Sequence, residues 1–329
     1  METSLALTIL LFAVGLVLII KGGDWFVEAA IWIAEASHIP HFIIGATIVS
    51  LCTTLPELMV SILGTVEGEV DLAVGNAVGS VTANIGLIMG ISVVCIPAAV
   101  KKSQFNIKAL LMLGASVLLW ALCRGGALHI LPSILLLAIF AAYLFLNVRD
   151  ARMSVVEHSE EHPHSDHVDH SRSIRREAPR QILKFAVGVA AIVIGSDLLI
   201  DYGSALAEAL GVPSAIIGVT MVAIGTSLPE LVTTITAIAK KDASMSVGNI
   251  IGANVIDLTL ILPICSIISG GRLTIAEQSY ALDMPACCLV AAIAVLPPLF
   301  RGKFRRWQGV VLLAVYAAYV VVLATQYGV

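Results

Sequence analysis

Two matching stretches decide the fold: Gly45-Ala-Thr-Ile-Val-Ser-Leu-Cys-Thr-Thr-Leu-Pro-Glu57-Leu and Gly218-Val-Thr-Met-Val-Ala-Ile-Gly-Thr-Ser-Leu-Pro-Glu230-Leu. Each places a proline and a carboxylate inside an apolar run long enough to cross a bilayer. A carboxylate near the bilayer centre costs at least ~2.5–3.5 kcal/mol on insertion scales, so it predicts a functional role. The proline removes a helical N–H and frees the carbonyl four residues earlier. Carboxylate, freed carbonyls and neighbouring hydroxyls are oxygen ligands for a hard cation, so each stretch predicts half of an ion site.

One constant offset relates the two halves of the chain. Subtracting 57 from 230 gives 173 residues, and the offset holds without a gap from residue 24 to residue 257. It pairs Asp24 with Asp197, Pro40 with Pro213, Asn76 with Asn249, Gly79 with Gly252, and Asn84 with Asp257. Duplicated membrane segments interrupted by Pro or Gly predict a binding site near the midplane, at the interface of the repeats.

The composition predicts an all-α, polytopic membrane protein. Of 329 residues, 58% are hydrophobic and 13% charged, and the mean hydropathy of +0.97 is far above that of a soluble domain. The start lacks a basic region, so residues 4–20 are expected to belong to a retained first span. Hydropathy predicts ten transmembrane spans, roughly residues 4–35, 41–64, 69–96, 106–123, 129–148, 181–210, 213–239, 243–268, 278–300 and 305–325.

The basic residues predict the orientation. With both termini outside, inner loops hold all but three of the 19 Lys and Arg residues, the exceptions being Lys21, Arg124 and Arg272. Cytoplasmic loops carry such an excess, which indicates a plasma-membrane protein with a cytoplasmic central loop. Five spans precede that loop and five follow it, so the two five-helix repeats are predicted to be inverted.

The predicted organisation is a first repeat at 1–148, a polar His-rich linker at 149–180 and a second repeat at 181–329. The linker contains His158, His162, His164, His167 and His170 between acidic residues. One interpretation is a solvated, disordered connection. The other is a weak transition-metal or pH-sensing tract.

A second motif follows each proline-glutamate motif. Gly75-Asn-Ala-Val-Gly-Ser-Val-Thr-Ala-Asn84 corresponds to Gly248-Asn-Ile-Ile-Gly-Ala-Asn-Val-Ile-Asp257. Glycines one turn apart predict close helix packing. Around a pseudo-two-fold axis, the carboxylates and amides are expected to converge and to supply the roughly six to eight oxygens that Ca²⁺ prefers.

Together these motifs resemble the α-repeats of the sodium/calcium exchangers, within the cation/calcium antiporter superfamily, over about residues 40–90 and 213–263. The resemblance implies ten helices in two inverted repeats around one central cation cluster. It implies alternating access to that cluster by Ca²⁺ and Na⁺, with no cofactor and no enzymatic activity.

The resemblance also implies a ligand set. Glu57 and Glu230 would bind Ca²⁺, while Thr53 and Thr226 would contribute mainly backbone carbonyls. The remaining positions implied are the flanking Na⁺ ligands Ser50, Thr54, Ser80, Ala223 (through its carbonyl) and Ser227, and the middle-position residues Asn84 and Asp257.

Two departures from the family pattern keep a second counter-ion open. Ala253 stands where a serine would supply a hydroxyl opposite Ser80. Asp257 stands in place of an asparagine and could carry a proton, since a low-dielectric site disfavours its charge. A Ca²⁺/H⁺ antiporter, or an exchanger of another divalent cation, is therefore the alternative to Na⁺/Ca²⁺ exchange.

Other classes fit less well. A zinc transporter is suggested by the histidine tract, but no histidine lies near the predicted site. An intramembrane hydrolase would need a nucleophile with a base or a metal–histidine set, and a passive channel would not need proline-broken carboxylate helices at a repeat interface. The expected partners are Ca²⁺, Na⁺ and the lipid bilayer, without nucleic acid, and one monomer suffices for one site. Spans one and six exceed the usual length and are the candidates for a moving gate.

Overall fold

The computed structural model describes residues 5–97, 99, 101–161, 167–209 and 227–327. The predicted ligands Ala223 and Thr226 lie outside the described residues. The helices are α1 Leu5–Ser37, α2 His41–Thr53, α3 Leu55–Glu67, α4 Val70–Cys95, α5 Lys102–Leu122, α6 Ile130–Glu161, α7 His167–Ala209, α8 Leu228–Ala239, α9 Ala243–Ile268, α10 Ser279–Arg301 and α11 Arg306–Gln326. Two short strands, β1 Ala127–His129 and β2 Arg272–Thr274, pair antiparallel.

The helices confirm the predicted all-α membrane fold. Eight helices in the described ranges are long and apolar enough to span a bilayer, and α2 with α3 forms a further, bent span. Helix α8 is the described part of the span predicted at 213–239 and has 12 residues. With it, the elements follow the order of the ten predicted spans.

Contacts between distant connections support the inverted arrangement. β1, after the fourth span, pairs with β2, after the eighth. Ala99, after the third span, forms a bridge with Lys303, after the ninth. Connections on one side of a membrane must be separated by an even number of crossings, and both pairs satisfy this in the predicted order. Five spans separate the starts of the repeats, so the second repeat is inverted relative to the first.

The centre of the molecule is formed by the helices that carry the second motif. Within the most apolar 18 residues of each helix, 83% of the residues are buried in α9 and 72% in α4. The corresponding fractions are 22% for α1 and 17% for α11, which therefore lie at the periphery. A helix that is apolar on all sides and buried belongs to the core of a bundle, so α4 and α9 bring the motif residues to the centre.

Helices α1 and α7 pack closely against each other. A Cβ atom at Gly188 would lie 2.7 Å from the backbone nitrogen of Phe26, and one at Gly195 would lie 2.9 Å from the carbonyl of Gly15. Only small residues permit such an approach of two backbones. The first helices of the two repeats therefore form a closely packed pair.

Where it is described, the segment 149–180, for which a disordered connection was one interpretation, is helical. Helix α6 continues to Glu161, and α7 begins at His167. Helical hydrogen bonds are local, so a polar segment rich in Arg and Glu can extend a membrane helix beyond its apolar part. The histidine side chains of this segment lie outside the described residues, and the metal-tract interpretation stays a prediction.

The same helix-ending turn occurs in both repeats. Gly68 ends α3 with φ +87°, and Lys241, its counterpart at the offset of 173, follows α8 with φ +62°. In both turns the next residue donates its N–H to a carbonyl five residues earlier, Glu69 to Gly64 at 2.7 Å and Asp242 to Ala237 at 2.8 Å. Lysine thus occupies a left-handed position that favours glycine.

We expect Lys241→Gly to stabilise the protein by about 0.5–1 kcal/mol, because glycine relieves the left-handed strain of a side-chain-bearing residue. Gly68→Ala at the equivalent turn should lower stability by a similar amount. The thermal unfolding midpoint in detergent measures both effects. An unchanged or lower midpoint for Lys241→Gly would contradict the conclusion that Lys241 occupies a strained left-handed position.

Candidate cation site

The first proline-glutamate motif breaks a helix, and the second lies where helix α8 begins. Thr54 separates α2 from α3, which are bent by 43°, with φ −85° and ψ 1°. Ser227 precedes α8 with φ −86° and ψ 5°. The two positions are related by the offset of 173, so the repeats share one backbone geometry here.

Each motif places a carboxylate in the first turn of a helix. Pro56 and Pro229 are the second residues of α3 and α8, where the missing N–H is not needed for the helix. Glu57 and Glu230 follow directly. The N-terminus of a helix favours negative charge, while the C-terminal carbonyls of α2, on the other side of the break, favour a cation.

Three carboxylates are buried in the centre, and none of them is paired with a base among the described residues. Glu57, Glu230 and Asp257 are each at most 1% exposed. The ion pairs among the described residues include none of them. The three carboxyl groups lie near enough to interact electrostatically, Glu57 with both others and Asp257 with Glu230.

Most of these carboxylate oxygens have no hydrogen-bond donor in the described part of the chain. Glu230 Oε1 accepts from Thr54 Oγ1 at 3.3 Å, across the interface of the repeats. Both oxygens of Glu57, both of Asp257 and Oε2 of Glu230 are buried and unpartnered. A buried charge without a partner is strongly unfavourable, so this set of oxygens fits a bound cation.

Neutral oxygen atoms are buried without a partner as well. Asn84 Oδ1, Asn76 Oδ1, Ser227 Oγ and Thr234 Oγ1 are also buried without a partner within the described ranges. No group of three His, Cys, Asp or Glu side chains among the described residues could hold one metal ion. A cation here would thus be bound by fewer carboxylates, completed by carbonyl, hydroxyl and amide oxygens, as Ca²⁺ and Na⁺ accept.

The other predicted ligands occupy the elements around the break. Ser50 and Thr53 are buried in α2, and their hydroxyls donate to the carbonyls of Thr47 and Ser50, at 3.1 and 3.3 Å. Ser80 is buried in α4. Asn84 and Asp257 begin matching π-helical segments, Asn84–Met89 and Asp257–Ile261. Such segments are frequent at functional sites.

Asn76 and Asn249, which the offset of 173 pairs, form hydrogen bonds next to the carboxylates. Asn76 Nδ2 donates to the carbonyl of Glu57 at 3.1 Å. Asn249 Nδ2 donates to Thr233 Oγ1 at 3.1 Å, and its Oδ1 accepts from Thr53 Oγ1 at 3.3 Å. Asn249 thus connects the second repeat to the first.

Sequence reasoning missed Tyr143 and Asn254. The hydroxyl of Tyr143 donates to the carbonyl of Ala46 at 2.6 Å, inside the π-helical segment Gly45–Val49. The sequence does not indicate which carbonyl group accepts a hydrogen bond from a tyrosine in an apolar helix. Asn254 lies inside the quoted second motif, and its contact with Asn84 could have been sought there.

Glycines bring α2 and α9 together. A Cβ atom at Gly252 would lie 2.4 Å from Ser50 Oγ and 2.7 Å from the carbonyl of Ala46. One at Gly248 would lie 2.2 Å from the carbonyl of Phe42. The predicted close packing is confirmed for this pair of glycines, and it holds the first broken helix against the central helix of the other repeat.

We expect Gly252→Ala to destabilise the protein by about 1–3 kcal/mol, because the methyl group overlaps Ser50 and forces α2 away from α9. The thermal unfolding midpoint in detergent is the measurement. Gly114→Ala is the matched control: Gly114 is exposed on α5, and a methyl group added there would have no described atom within 4 Å. Equal midpoints for both variants would contradict the packing argument.

Comparison with known proteins gives one consistent family. A family model described as sodium/calcium exchanger protein matches residues 7–149 and 181–325. The sodium/calcium exchanger MaX1 of Methanosarcina acetivorans is 30% identical over 346 residues, 95% of this chain and 97% of the relative. The inner membrane protein YrbG of Escherichia coli is 33% identical over 292 residues, 87% of each chain.

The fold agrees with solved structures of the sodium-calcium exchanger NCX_Mj. One of them, from a sample with Na⁺ and no Ca²⁺, matches with a TM-score of 0.80 and 27% identity. The match covers 98% of this chain and 99% of that one.

Proposed function

Because the chain belongs to the sodium/calcium exchanger family, we propose that it is a secondary active antiporter that moves Ca²⁺ across a membrane in exchange for Na⁺. The resemblance seen in the motifs is thereby confirmed. The observation that carries the proposal is the set of three buried carboxylates with five unpartnered oxygens, namely two of Glu57, two of Asp257 and one of Glu230. Such a set supports cation binding and not catalysis, since a hydrolase would need a nucleophile with its base.

The proposed Ca²⁺ ligands are Glu57 and Glu230, with backbone carbonyls from Thr53 and Thr226. The contact between Thr54 and Glu230 supports a site shared by both repeats. The further proposed positions are Ser50, Thr54, Ser80, Ala223 and Ser227 for Na⁺ and Asn84 and Asp257 for the middle of the cluster.

Electrostatics couples the two fluxes. Two cations held within a few ångströms in a low-dielectric site repel strongly, so Ca²⁺ and Na⁺ compete for the same carboxylates. A cluster of unpaired carboxylates is unfavourable in a closed, dry site. The occluded state therefore forms readily only when bound cations compensate the charge, and each crossing carries either Ca²⁺ or Na⁺.

Alternating access is proposed to move α1 and α7 together relative to the site. Their close contact at Gly188 and Gly195 favours motion as one unit. Motion relative to α8 would alternately cover the two entrances of the cluster, as rocking of one bundle against another does in other inverted-repeat transporters.

The proposed location is the plasma membrane, with both termini outside and the segment 149–180 in the cytoplasm. The distribution of Lys and Arg supports this orientation. One chain contains both repeats of the site, so a monomer suffices.

Ca²⁺/H⁺ exchange is the second candidate. Asp257 could release a proton in place of Na⁺, and Ala253 lacks the hydroxyl that Ser80 has at the equivalent position. The hydroxyl pairs Thr53-Thr54 and Thr226-Ser227 and the family match favour Na⁺.

Proteoliposomes loaded with Na⁺ and diluted into Na⁺-free medium should take up radiolabelled Ca²⁺. Glu230→Gln should lower the initial rate by more than roughly 30-fold, the factor that corresponds to the loss of about 2 kcal/mol or more when a buried charged partner is removed. Glu67→Gln, an exposed carboxylate on α3, is the matched control and should transport normally.

The gradient that drives Ca²⁺ uptake, of Na⁺ or of pH, shows which of the two counter-ions is exchanged. Uptake that requires the outward Na⁺ gradient identifies Na⁺/Ca²⁺ exchange. Uptake that follows only a pH gradient would replace it by Ca²⁺/H⁺ exchange, and no Ca²⁺ movement under either gradient would contradict both.

A disulfide between α1 and α8 should stop transport if α1 moves past the site. A Cβ atom at Gly23 would lie 4.0 Å from Cβ of Thr236, within the usual range of roughly 3.5–4.5 Å for a disulfide. It would also lie 2.7 Å from Cγ1 of Val232, so the Val232 side chain must shift to admit a cysteine. In a background without the native cysteines, oxidised Gly23→Cys/Thr236→Cys protein should lose uptake and regain it on reduction. Each single variant should transport under both conditions. Full activity of the crosslinked protein would rule out this motion.

A further inference from the structure

The amide of Asn84 is held with its nitrogen against protein and its oxygen unpartnered. Asn84 is 1% exposed at the start of its π-helical segment. Its Nδ2 donates to Oδ1 of Asn254 at 3.2 Å, while its Oδ1 has no partner in the described part of the chain. The end of this amide that faces the cluster decides its effect, because the oxygen attracts a cation and the NH₂ group repels one.

The side chain of Met112 fixes this orientation through Asn254, because its sulfur can only accept a hydrogen bond. Asn254, fully buried on α9, donates its Nδ2 to Sδ of Met112 on α5 at 3.6 Å. A thioether sulfur only accepts hydrogen bonds, so the NH₂ group of Asn254 points to Met112 and its oxygen points to Asn84. That oxygen in turn only accepts, and the NH₂ group of Asn84 must face it.

The other repeat shows why one copy of this arrangement is enough. The counterpart of Asn84 is Asp257, whose two carboxylate oxygens both accept, so its orientation does not matter. The counterpart of Asn254 at the offset of 173 is Val81, an apolar residue. The polar partner is present where the chain has an amide and absent where it has a carboxylate.

We propose that Asn254 is a positioning residue for cation binding: together with Met112 it holds the amide of Asn84 so that Oδ1 faces the central cluster. The proposal rests on the proposed function insofar as Asn84 lines that cluster. Asn254 itself acts through Asn84, and its polar atoms are engaged by Asn84 and Met112.

Equilibrium binding of radiolabelled Ca²⁺ to the purified full-length protein tests this, with Asn254→Ala measured alone and in an Asn84→Ala background. Alone, the substitution should raise Kd by roughly 3- to 10-fold, the loss expected for one oriented polar contact. In the Asn84→Ala background it should leave Kd unchanged, because there is no amide left to orient. A residue with only a structural role would change Kd equally in both backgrounds, and that result would overturn the proposal.

Met112→Leu keeps the side-chain volume and removes the sulfur acceptor. It should raise Kd in the same direction, again only when Asn84 is present, and it decides the question if Asn254→Ala does not fold. Asn147→Ala is the control: Asn147 is a fully buried asparagine whose Nδ2 donates within its own helix, to the carbonyl of Tyr143 at 3.0 Å. It should leave Kd unchanged.

Measuring Ca²⁺ binding and transport separately distinguishes a failure of the positioning proposal from a failure of the proposed exchange. If the unaltered protein binds Ca²⁺ but shows no Na⁺-driven uptake, the proposed exchange is contradicted. The role of Asn254 is then still decided by the Kd values of its variants. Unchanged Kd in both Asn254→Ala and Met112→Leu, with uptake intact, would overturn the positioning role alone. No Ca²⁺ binding by the unaltered protein would overturn both.

Discussion

The burial of three carboxylates, unpaired with any base in the described part of the chain, is the constraint on which the rest of the structure depends. The chain is able to neutralise a buried charge: Lys108, 1% exposed, is paired with Asp150 at 2.9 Å. At Glu57, Glu230 and Asp257 it does not do so among the described residues. Desolvation of unpaired charges is more unfavourable than most single packing contacts are favourable. The scaffold must therefore be rigid enough to hold these carboxylates together, and their charge is left for mobile cations to compensate.

The broken helices supply both the rigidity and the ligands. A continuous helix would use its carbonyls internally and leave none for a cation. Interruption at Thr54 presents the C-terminal end of α2 next to the N-terminal end of α3, so carbonyl oxygens and the helix end that favours carboxylates come together. The exposed polar backbone of the break is tolerated only inside protein. Gly248 and Gly252 allow α9 to cover α2 at backbone distance, and Tyr143 donates to the carbonyl of Ala46.

Features with a local signal could be predicted from the sequence. The prolines located the break at Thr54 and, through the offset of 173, the start of α8 after Ser227, and hydropathy located the spans. The extension of α6 and α7 into the polar segment was missed, because a charged stretch is compatible with both a linker and a helix. Contacts between distant helices were also missed: the bonds of Asn249 to Thr53 and of Asn254 to Met112 depend on how α2, α5 and α9 cross. The ligand set stays a prediction that the buried oxygens support.

The differences between the repeats matter as much as their likeness. Inversion places equivalent backbones around one site, and a fully symmetric pair would offer cations the same groups from both sides. The side chains have diverged at two central positions: Ser80 of the first repeat corresponds to Ala253 of the second, and Asn84 corresponds to Asp257. One half thus contributes a hydroxyl and a neutral amide, the other a second carboxylate. Since a hard cation is bound by charge as well as by oxygen number, the two halves of the cluster differ in electrostatic potential. A scaffold with symmetric motion can in this way hold different ions in its two halves.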